Sequence, residues 1–216
     1  MSLSSSPELP IIAIPTLVAA RPIVRPAVDD PSTIVIMSTE TSRLTIRAPV
    51  ESDRPRFVEL FTDEAFTVFS DGVHDVESAN ARFDRMLALA NVVPYAKQPV
   101  IERATGIIVG YTGAGTVVFD GLDRLEWGWR FVPDARGRGF ATEATTALLQ
   151  VADVHDDGEM LCIIAIDNLP SRRVADKVGF RWWQRYTWPD DPTAPTDLLI
   201  RSVGSGGPPL VVPDHC

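Results

Sequence analysis

The stretch Arg136-Gly137-Arg138-Gly139-Phe140-Ala141 carries the strongest signal in this chain. It follows an apolar run that ends in Phe131-Val132-Pro133 and precedes an Ala- and Leu-rich segment. Glycines let a backbone approach a ligand closely, and a helix that begins near Ala141 points its unpaired N–H groups and positive dipole end at the same place. The sequence therefore predicts a phosphate-binding loop, to which Arg136 and Arg138 add charge. An ordinary glycine turn with two solvent-facing arginines is the alternative.

Two familiar nucleotide loops are excluded by the residues after the glycines. No Gly-Lys-Ser or Gly-Lys-Thr ends the loop, as a P-loop NTPase requires to hold a triphosphate and magnesium. Gly137 and Gly139 are followed by Thr142, where the dinucleotide fingerprint requires a third glycine.

Composition narrows the class of protein further. The chain has 216 residues, 45% of them hydrophobic, which is enough for one substantial core. A net charge of -9 argues against a general nucleic-acid or anionic-membrane binder. No uninterrupted apolar run is long enough to span a membrane. Cys162 and Cys216 have no obvious disulfide partner, so a reducing, cytoplasmic compartment is expected.

The chain divides into three parts by composition. Residues 1–40 are rich in Pro, Ser and Val, and we expect a poorly ordered extension there. Met37, followed by small polar residues, resembles a natural start, so the residues before it are expected either to come from an upstream initiation site or to dock on the body. Residues 41–203 carry the pattern of a folded domain, and residues 204–216 form a Gly- and Pro-containing tail.

Hydrophobic periodicity predicts an alternation of helices and strands. Apolar residues at helical spacing predict helices over residues 51–69, 76–90, 141–154 and 170–178. Alternating or short apolar runs predict strands over residues 43–48, 99–102, 106–111, 116–119, 125–132, 160–166, 180–188 and 197–203. The strand, helix, strand order from 125 to 166 implies a right-handed parallel crossover, and the last two strands form an antiparallel pair.

Residues 43–203 resemble the GNAT superfamily of N-acetyltransferases. Its pyrophosphate motif, Arg/Gln-x-x-Gly-x-Gly/Ala, matches the stretch that begins at Arg136 in full, and Glu126-Trp127-Gly128-Trp129 resembles the strand before that motif. Asn168-Leu169-Pro170-Ser171, followed by Val174-Ala175-Asp176-Lys177-Val178-Gly179-Phe180, resembles the second hallmark. Within the superfamily the closest resemblance is to the branch that includes ribosomal-protein alanine N-acetyltransferases.

The resemblance implies a mixed α/β fold, with a mostly antiparallel sheet, one splayed parallel strand pair and flanking helices. Acetyl-CoA would lie in the splayed cleft, where its pantetheine arm pairs with the backbone near Phe131 and Val132. Its pyrophosphate would meet the amides of Gly137 to Thr142, including those of Phe140 and Ala141, with Arg136 or Arg138 nearby. Asn168 would reach the pantetheine or the local backbone.

Two residues are candidates for the chemistry, and each has a structural alternative. Glu126 would face the cleft and act as a general base, directly or through water; the alternative is an ion pair with Arg124 or Arg130. Ser171 would protonate the leaving thiolate. Helix capping by Asn168 and a first-turn polar role for Ser171 are equally compatible with their positions.

Three further sets of residues are considered as ligand-binding sites. His74, His155 and His215 show no metal-like spacing, so no metal site is expected. The aromatic residues from Trp182 to Trp188 could line an acceptor pocket, or fill a core or a subunit interface. Acidic residues between the first two helices could attract a cationic amine or form a solvated loop; they are Asp63, Glu64, Asp71, Asp75 and Glu77.

The sequence thus predicts an N-acetyltransferase that moves an acetyl group from acetyl-CoA, its co-substrate, to a primary amine by direct attack in a ternary complex. A protein N-terminus, an aminoglycoside-like antibiotic and a polyamine all remain possible acceptors, and the enzyme is expected to be a monomer or a homodimer. The alternative is a non-catalytic acyl-CoA-binding sensor or assembly subunit that kept the loop and lost the chemistry.

Overall fold

The computed structural model describes residues 38–69, 72–119, 121–155, 158–188 and 191–204. Eight strands form one sheet: β1 Ser38–Glu40, β2 Leu44–Arg47, β3 Gln98–Glu102, β4 Ile107–Phe119, β5 Leu122–Phe131, β6 Gly158–Ala165, β7 Arg181–Trp188 and β8 Asp191–Val203. Their order across the sheet is β1-β2-β3-β4-β5-β6-β8-β7. β5 and β6 pair in parallel, and the other neighbouring strands are antiparallel. The predicted fold class is confirmed.

Within the described residues, five α-helices flank the sheet: α1 Arg54–Phe61, α2 Glu64–Thr67, α3 Val76–Ala90, α4 Phe140–His155 and α5 Leu169–Lys177. The predicted helix over residues 51–69 is interrupted, because the Asp63 carboxylate accepts a hydrogen bond from the Phe66 amide and starts a new helix there. Asp75 caps α3 in the same way, through the Ser78 amide. Two of the acidic residues considered as an acceptor site are therefore helix caps.

The helices cover both faces of the sheet, and the alternation along β4 shows which helix lies on which face. Tyr111 packs among phenylalanines of α1, α2 and α3. The next residue, Thr112, is buried on the opposite face, where its hydroxyl contacts that of Thr145 in α4 at 2.8 Å. Trp127 of β5 lies on the α4 face and donates to the same Thr112 hydroxyl at 3.3 Å. From Tyr111 onwards, the odd-numbered residues of β4 and the even-numbered residues of β5 opposite them consequently face α1, α2 and α3.

The predicted meander of short strands between residues 106 and 119 is wrong. β4 runs without a break from Ile107 to Phe119, through Gly113 and Gly115, which lie between the two strands that were predicted there. Gly110 is needed for close packing: a Cβ placed on it would lie 2.2 Å from the Arg130 carbonyl oxygen of β5. Glycine here lets two backbones approach and does not reverse the chain.

Replacing Gly110 with alanine should therefore lower the free energy of unfolding by about 3 kcal/mol, because the backbones of β4 and β5 must separate. Gly106→Ala is the matched control. A Cβ on Gly106 meets nothing within 4 Å, so only its positive φ of 70° opposes the change, at roughly 1 kcal/mol. Urea titrations of both variants would measure the difference. Equal midpoints would show that strand contact at Gly110 is not limiting.

The two ends of the chain were predicted to lie outside the folded domain. Residues 38–40, predicted to belong to the extension, form β1 and pair with β2 through Ser38 opposite Arg47. Residues 1–37 and 205–216 lie outside the described residues, as does Asp71. Among the helices of the described ranges, none is both long and apolar enough to cross a membrane.

Candidate active site

A cleft of about 780 Å³ opens where β5 and β6 diverge. The two strands are in register at Glu126 and Leu161, and beyond this point the cleft lies between them. Its walls include residues 126–131 of β5 and 162–165 of β6, and the glycine loop closes one end. The volume is in the range of small-molecule and cofactor sites. The predicted splayed pair thus encloses a cavity of suitable size for a ligand.

The glycine loop leads directly into a helix, as the sequence predicts. Gly137 and Gly139 both have positive φ, 71° and 82°, and α4 begins directly afterwards at Phe140. Gly137, Gly139 and residues 140–142 line the cleft. The first amides of a helix have no partner within the helix, so this loop presents N–H groups and a positive dipole end to the cavity.

The two loop arginines play different parts. Arg136 lines the cleft, and its guanidinium donates to the Phe131 carbonyl at 2.9 Å and to the Ala65 carbonyl at 2.6 Å. It thereby joins the loop to β5 and α2. Arg138 is not among the residues that line the cleft; it pairs with Glu102 of β3 at 2.5 Å and lies over the Phe140 ring. The expected contact between the Arg138 guanidinium and a ligand phosphate is therefore unfavourable in this conformation.

A hydrogen-bond network that was not predicted from the sequence stabilises the glycine loop. The Glu143 carboxylate, in the first turn of α4, accepts from the Thr41 hydroxyl at 2.6 Å and from the Arg43 guanidinium at 2.7 Å. Arg43 also donates to the Arg138 carbonyl at 2.9 Å. Buried surroundings act to raise the pKa of Glu143, but these hydrogen bonds outweigh them and lower it. Local sequence carried no sign of the network, because its partners are about a hundred residues apart.

Glu126 lies in the cleft, as predicted, but its partner is a residue that was not considered. Its carboxylate is 3.2 Å from the Lys97 ammonium, and the two side chains are 17% and 20% exposed. Neither Arg124 nor Arg130 pairs with it among the described contacts, so the expected structural alternative named the wrong cation. The Glu126 side chain is thus held in place by one ion pair while it remains within reach of the cavity.

Two features of the fold bring Lys97 to this position. The backbone of residues 95–97 runs beside β4 and pairs with Ala114, whose amide donates to the Tyr95 carbonyl and whose carbonyl accepts from the Lys97 amide, both at 2.9 Å. Gly115 leaves room for the lysine: a Cβ there would lie 2.8 Å from Lys97 Nζ. An ion pair that depends on a loop running beside a strand cannot be recognised from spacing along the sequence.

Tyr111 is a further residue of the cleft that the sequence did not single out. It is 3% exposed and lines the cavity beside Lys97 and Arg130. Burial acts to raise the pKa of its phenol. The positive charges of Arg130, Lys97 and Arg82 outweigh burial, so the pKa of Tyr111 lies below the ordinary value.

Asn168 and Ser171 both line the cleft, next to the end of β6. The Asn168 side-chain oxygen accepts from the Ser171 amide at 3.1 Å and caps α5. The capping alternative is therefore what the structure shows for that oxygen. The cap also places Ser171 in the first turn of α5, facing the same cavity as Glu126.

Phe131 and Val132 differ in their relation to the cleft. Phe131 lines it, whereas Val132 does not, and the Val132 amide donates to the Val109 carbonyl of β4 at 2.9 Å. Successive amides of a strand point to opposite sides, so the Phe131 amide points towards the cleft side. The expectation of backbone contact at both residues applies to Phe131 alone.

The other candidate groups lie elsewhere. Trp183, Tyr186 and Trp188 pack around Phe119 as a separate core cluster, and Trp182 is 52% exposed with its indole donating to Asp197. The acidic residues of the described loop do not line the cleft. In the described ranges no three His, Cys, Asp or Glu side chains are grouped as a metal site would require.

Comparison with known proteins agrees with this geometry. The family model described as the acetyltransferase (GNAT) domain matches residues 43–181. A curated relative, the uncharacterized N-acetyltransferase YnaD of Bacillus subtilis, is 27% identical over 173 residues, which are 69% of this chain and 94% of the relative.

Solved structures share the fold at low sequence identity. A GNAT-family acetyltransferase from Bordetella pertussis superposes with a TM-score of 0.66 at 21% identity, over 77% of this chain and 99% of the other. The ribosomal-protein-S5-alanine acetyltransferase of Vibrio fischeri gives 0.63 at 13% identity, over 80% and 100%. Other matching structures were solved with acetyl-CoA or coenzyme A bound. The chain belongs to the GNAT acetyltransferase family, whose members transfer acetyl groups from acetyl-CoA.

Proposed function

We propose that this protein acetylates a primary amine by direct attack on acetyl-CoA, with both substrates bound at once. The observation that carries the proposal is that Glu126, Ser171 and the glycine loop all line one cavity. A phosphate-binding end, a carboxylate and a hydroxyl in one cleft are the groups that acetyl transfer to an amine requires.

Acetyl-CoA would be held by residues at one end and along one wall of this cleft. The backbone of the loop from Gly137 to Thr142 would bind the pyrophosphate, with the Arg136 guanidinium beside it. Arg138 would contribute through its main chain, since Glu102 engages its side chain. The Phe131 amide would pair with the pantetheine arm, and Asn168 would bound the arm on the α5 side.

The chemistry then divides between two side chains. Glu126 would take the proton from the attacking amine, so that a C–N bond forms at the thioester carbon. A strand amide would stabilise the oxyanion, and the C–S bond would break as Ser171 donates a proton to the leaving thiolate. Glu126 would then release its proton to solvent water and Ser171 would regain one from it, so that the net products are the acetylated amine and the free thiol of coenzyme A. The Lys97 ammonium would orient the Glu126 carboxylate towards the cavity.

The state of Cys162 favours direct transfer over an acyl-enzyme route. This cysteine lines the cleft but is 2% exposed. Burial raises the pKa of its thiol well above the ordinary value. A nucleophilic cysteine needs its thiolate, so Cys162 is a poor acyl carrier.

Titration calorimetry with acetyl-CoA, followed by thiol-release assays with amine acceptors and N-terminal peptides, would test the proposal. Binding together with thiol release that depends on an amine supports it. Binding without release from any acceptor favours a non-catalytic acyl-CoA sensor. If acetyl-CoA does not bind, the assignment of the glycine loop as its phosphate-binding site is contradicted.

Replacing Ser171 with alanine should lower kcat about tenfold and leave the acetyl-CoA dissociation constant within twofold, because a general acid acts on the leaving group and not on binding. The cap remains, since Asn168 accepts from the Ser171 backbone amide. Steady-state kinetics with calorimetry on the same preparation would check this. Unchanged kcat would show that the thiolate receives its proton from another donor.

A further inference from the structure

A second chamber of about 450 Å³ adjoins the cleft. Arg82, Lys97 and Tyr111 line both cavities, so they form the shared wall. Because Lys97 pairs with Glu126, the chamber opens next to the proposed base, on the side away from the glycine loop. A substrate group that projects past the reacting amine would enter this space.

The charged side chains of the second chamber have one sign. They are Arg82, Arg85 and Lys97, and none of the lining residues is a carboxylate. Arg82 and Arg85 are three residues apart on α3, which places them on adjacent parts of one helix surface. This is unexpected in a chain with a net charge of -9. The acidic residues near the start of α3 do not line the chamber.

Tyr111, on the shared wall, responds to the positive charge around it. The charges of Arg130, Lys97 and Arg82 lower the pKa of its phenol despite full burial. Arg130 itself has a buried guanidinium nitrogen, Nη1, for which the described part of the chain supplies no hydrogen-bond partner. The Glu126 carboxylate, 3.2 Å from the Lys97 ammonium, offsets the charge of that lysine.

We propose that the second chamber binds a negatively charged group of the acceptor, so that the preferred substrate is an amine carrying a carboxylate. This inference rests on the proposed function, because it assigns the substrate class of the same site. Arg85 would pair with the carboxylate, and Arg82 and Lys97 would contribute to the field. The apolar surface of Met86, Leu89 and Val92 would contact the linking atoms.

The arrangement also rejects cationic acceptors. A second ammonium group, as in a polyamine or an aminoglycoside, would enter a chamber whose fixed charges repel it. The expected preference therefore runs opposite to that predicted from the acidic residues between the first helices. Carboxylate-bearing amines include amino acids and peptides with an acidic second residue, and both present the same chemistry.

Three dipeptide amides would test the preference: Ala-Glu-NH2, Ala-Gln-NH2 and Ala-Lys-NH2. Their reacting α-amines are alike, and only the charge of the second side chain differs. We expect kcat/KM to fall about tenfold from Glu to Gln and further to Lys, as for one charge pair in a partly solvated site. Equal kcat/KM values would overturn the inference.

Arg85→Glu should reduce the preference for Ala-Glu-NH2 over Ala-Lys-NH2 about tenfold or more, because a carboxylate replaces the cation that would pair with the acceptor, while the KM for acetyl-CoA stays within twofold. Arg85 is exposed on α3, so the exchange disturbs no core packing. Arg181→Glu makes the same charge change at an exposed site on β7, outside both cavities, and should leave the preference unaltered. An unchanged preference in Arg85→Glu would remove Arg85 from the subsite.

Binding to the coenzyme A-loaded protein, measured by calorimetry, separates failure of this inference from failure of the proposed function. If no peptide is acetylated but Ala-Glu-NH2 binds more tightly than Ala-Lys-NH2, the anionic subsite is supported and the proposed acetylation of amines is contradicted. If the peptides are acetylated without preference, the proposed function stands and the anionic subsite falls. Preference for Ala-Lys-NH2 by the unaltered protein contradicts the subsite alone.

Discussion

Glu126→Gln is expected to lower kcat for amine acetylation by about a hundredfold or more, while acetyl-CoA affinity stays within twofold. General base catalysis contributes about this much, and the amide of glutamine cannot accept the proton. Glutamine has nearly the same shape and can still accept a hydrogen bond from Lys97, so the wall of the cleft should be preserved. The measurement is kcat and KM for both substrates, with calorimetry for acetyl-CoA.

Glu159→Gln provides the matched control, because it makes the same change at an exposed position of β6. That variant should keep full activity. If Glu126→Gln also keeps its kcat, then Glu126 is a partner of Lys97 and not the base. A fall in acetyl-CoA affinity equal to the fall in kcat would instead indicate a binding role for the carboxylate.

Gly139→Val should raise the acetyl-CoA dissociation constant by about a hundredfold or more. Gly139 has a φ of 82°, where a β-branched residue is strongly disfavoured, so the loop must change its conformation. A shifted loop no longer points its amides at the phosphates. Packing does not cause the effect, since a Cβ on Gly139 would meet only Arg43 Nη2 within 4 Å, at 3.5 Å.

Gly106→Val is the matched control, because it places the same β-branched residue at a similar positive φ but outside the glycine loop. Its φ is 70°, nothing lies within 4 Å of its Cβ position, and it belongs to the turn between β3 and β4. Both variants should lose similar stability, and only Gly139→Val should lose acetyl-CoA binding in calorimetry. Binding retained by a folded Gly139→Val protein would contradict the loop as the phosphate site.

Some of the site could be predicted because its signal is local. A positive φ at Gly139, the start of a helix at the next residue and the N-cap at Asn168 each depend on a few adjacent residues. The same holds for α3, whose predicted and observed bounds agree. The family, the mixed fold and acetyl-CoA as the donor followed from two such motifs together.

Other expectations failed where distant segments meet. Gly113 and Gly115 were expected to join two short strands, but they lie within β4, where the backbone of Tyr95 and Ala96 and the Lys97 side chain approach them closely. Val132 was expected to face the ligand, yet β4 takes its amide. Glycine serves turns and close contacts alike, so the sequence cannot tell which use applies.

By itself the sequence determined the acetyltransferase family, the glycine turn that leads into α4 and the presence of a carboxylate on the strand before it, because each depends on neighbouring residues. Only the tertiary structure decided that Lys97 holds Glu126, that Glu143 braces the loop, and that arginines of α3 give the second chamber its positive charge. These contacts join segments far apart in the chain. Their charges act through space, and the net charge of -9 gave no sign of them.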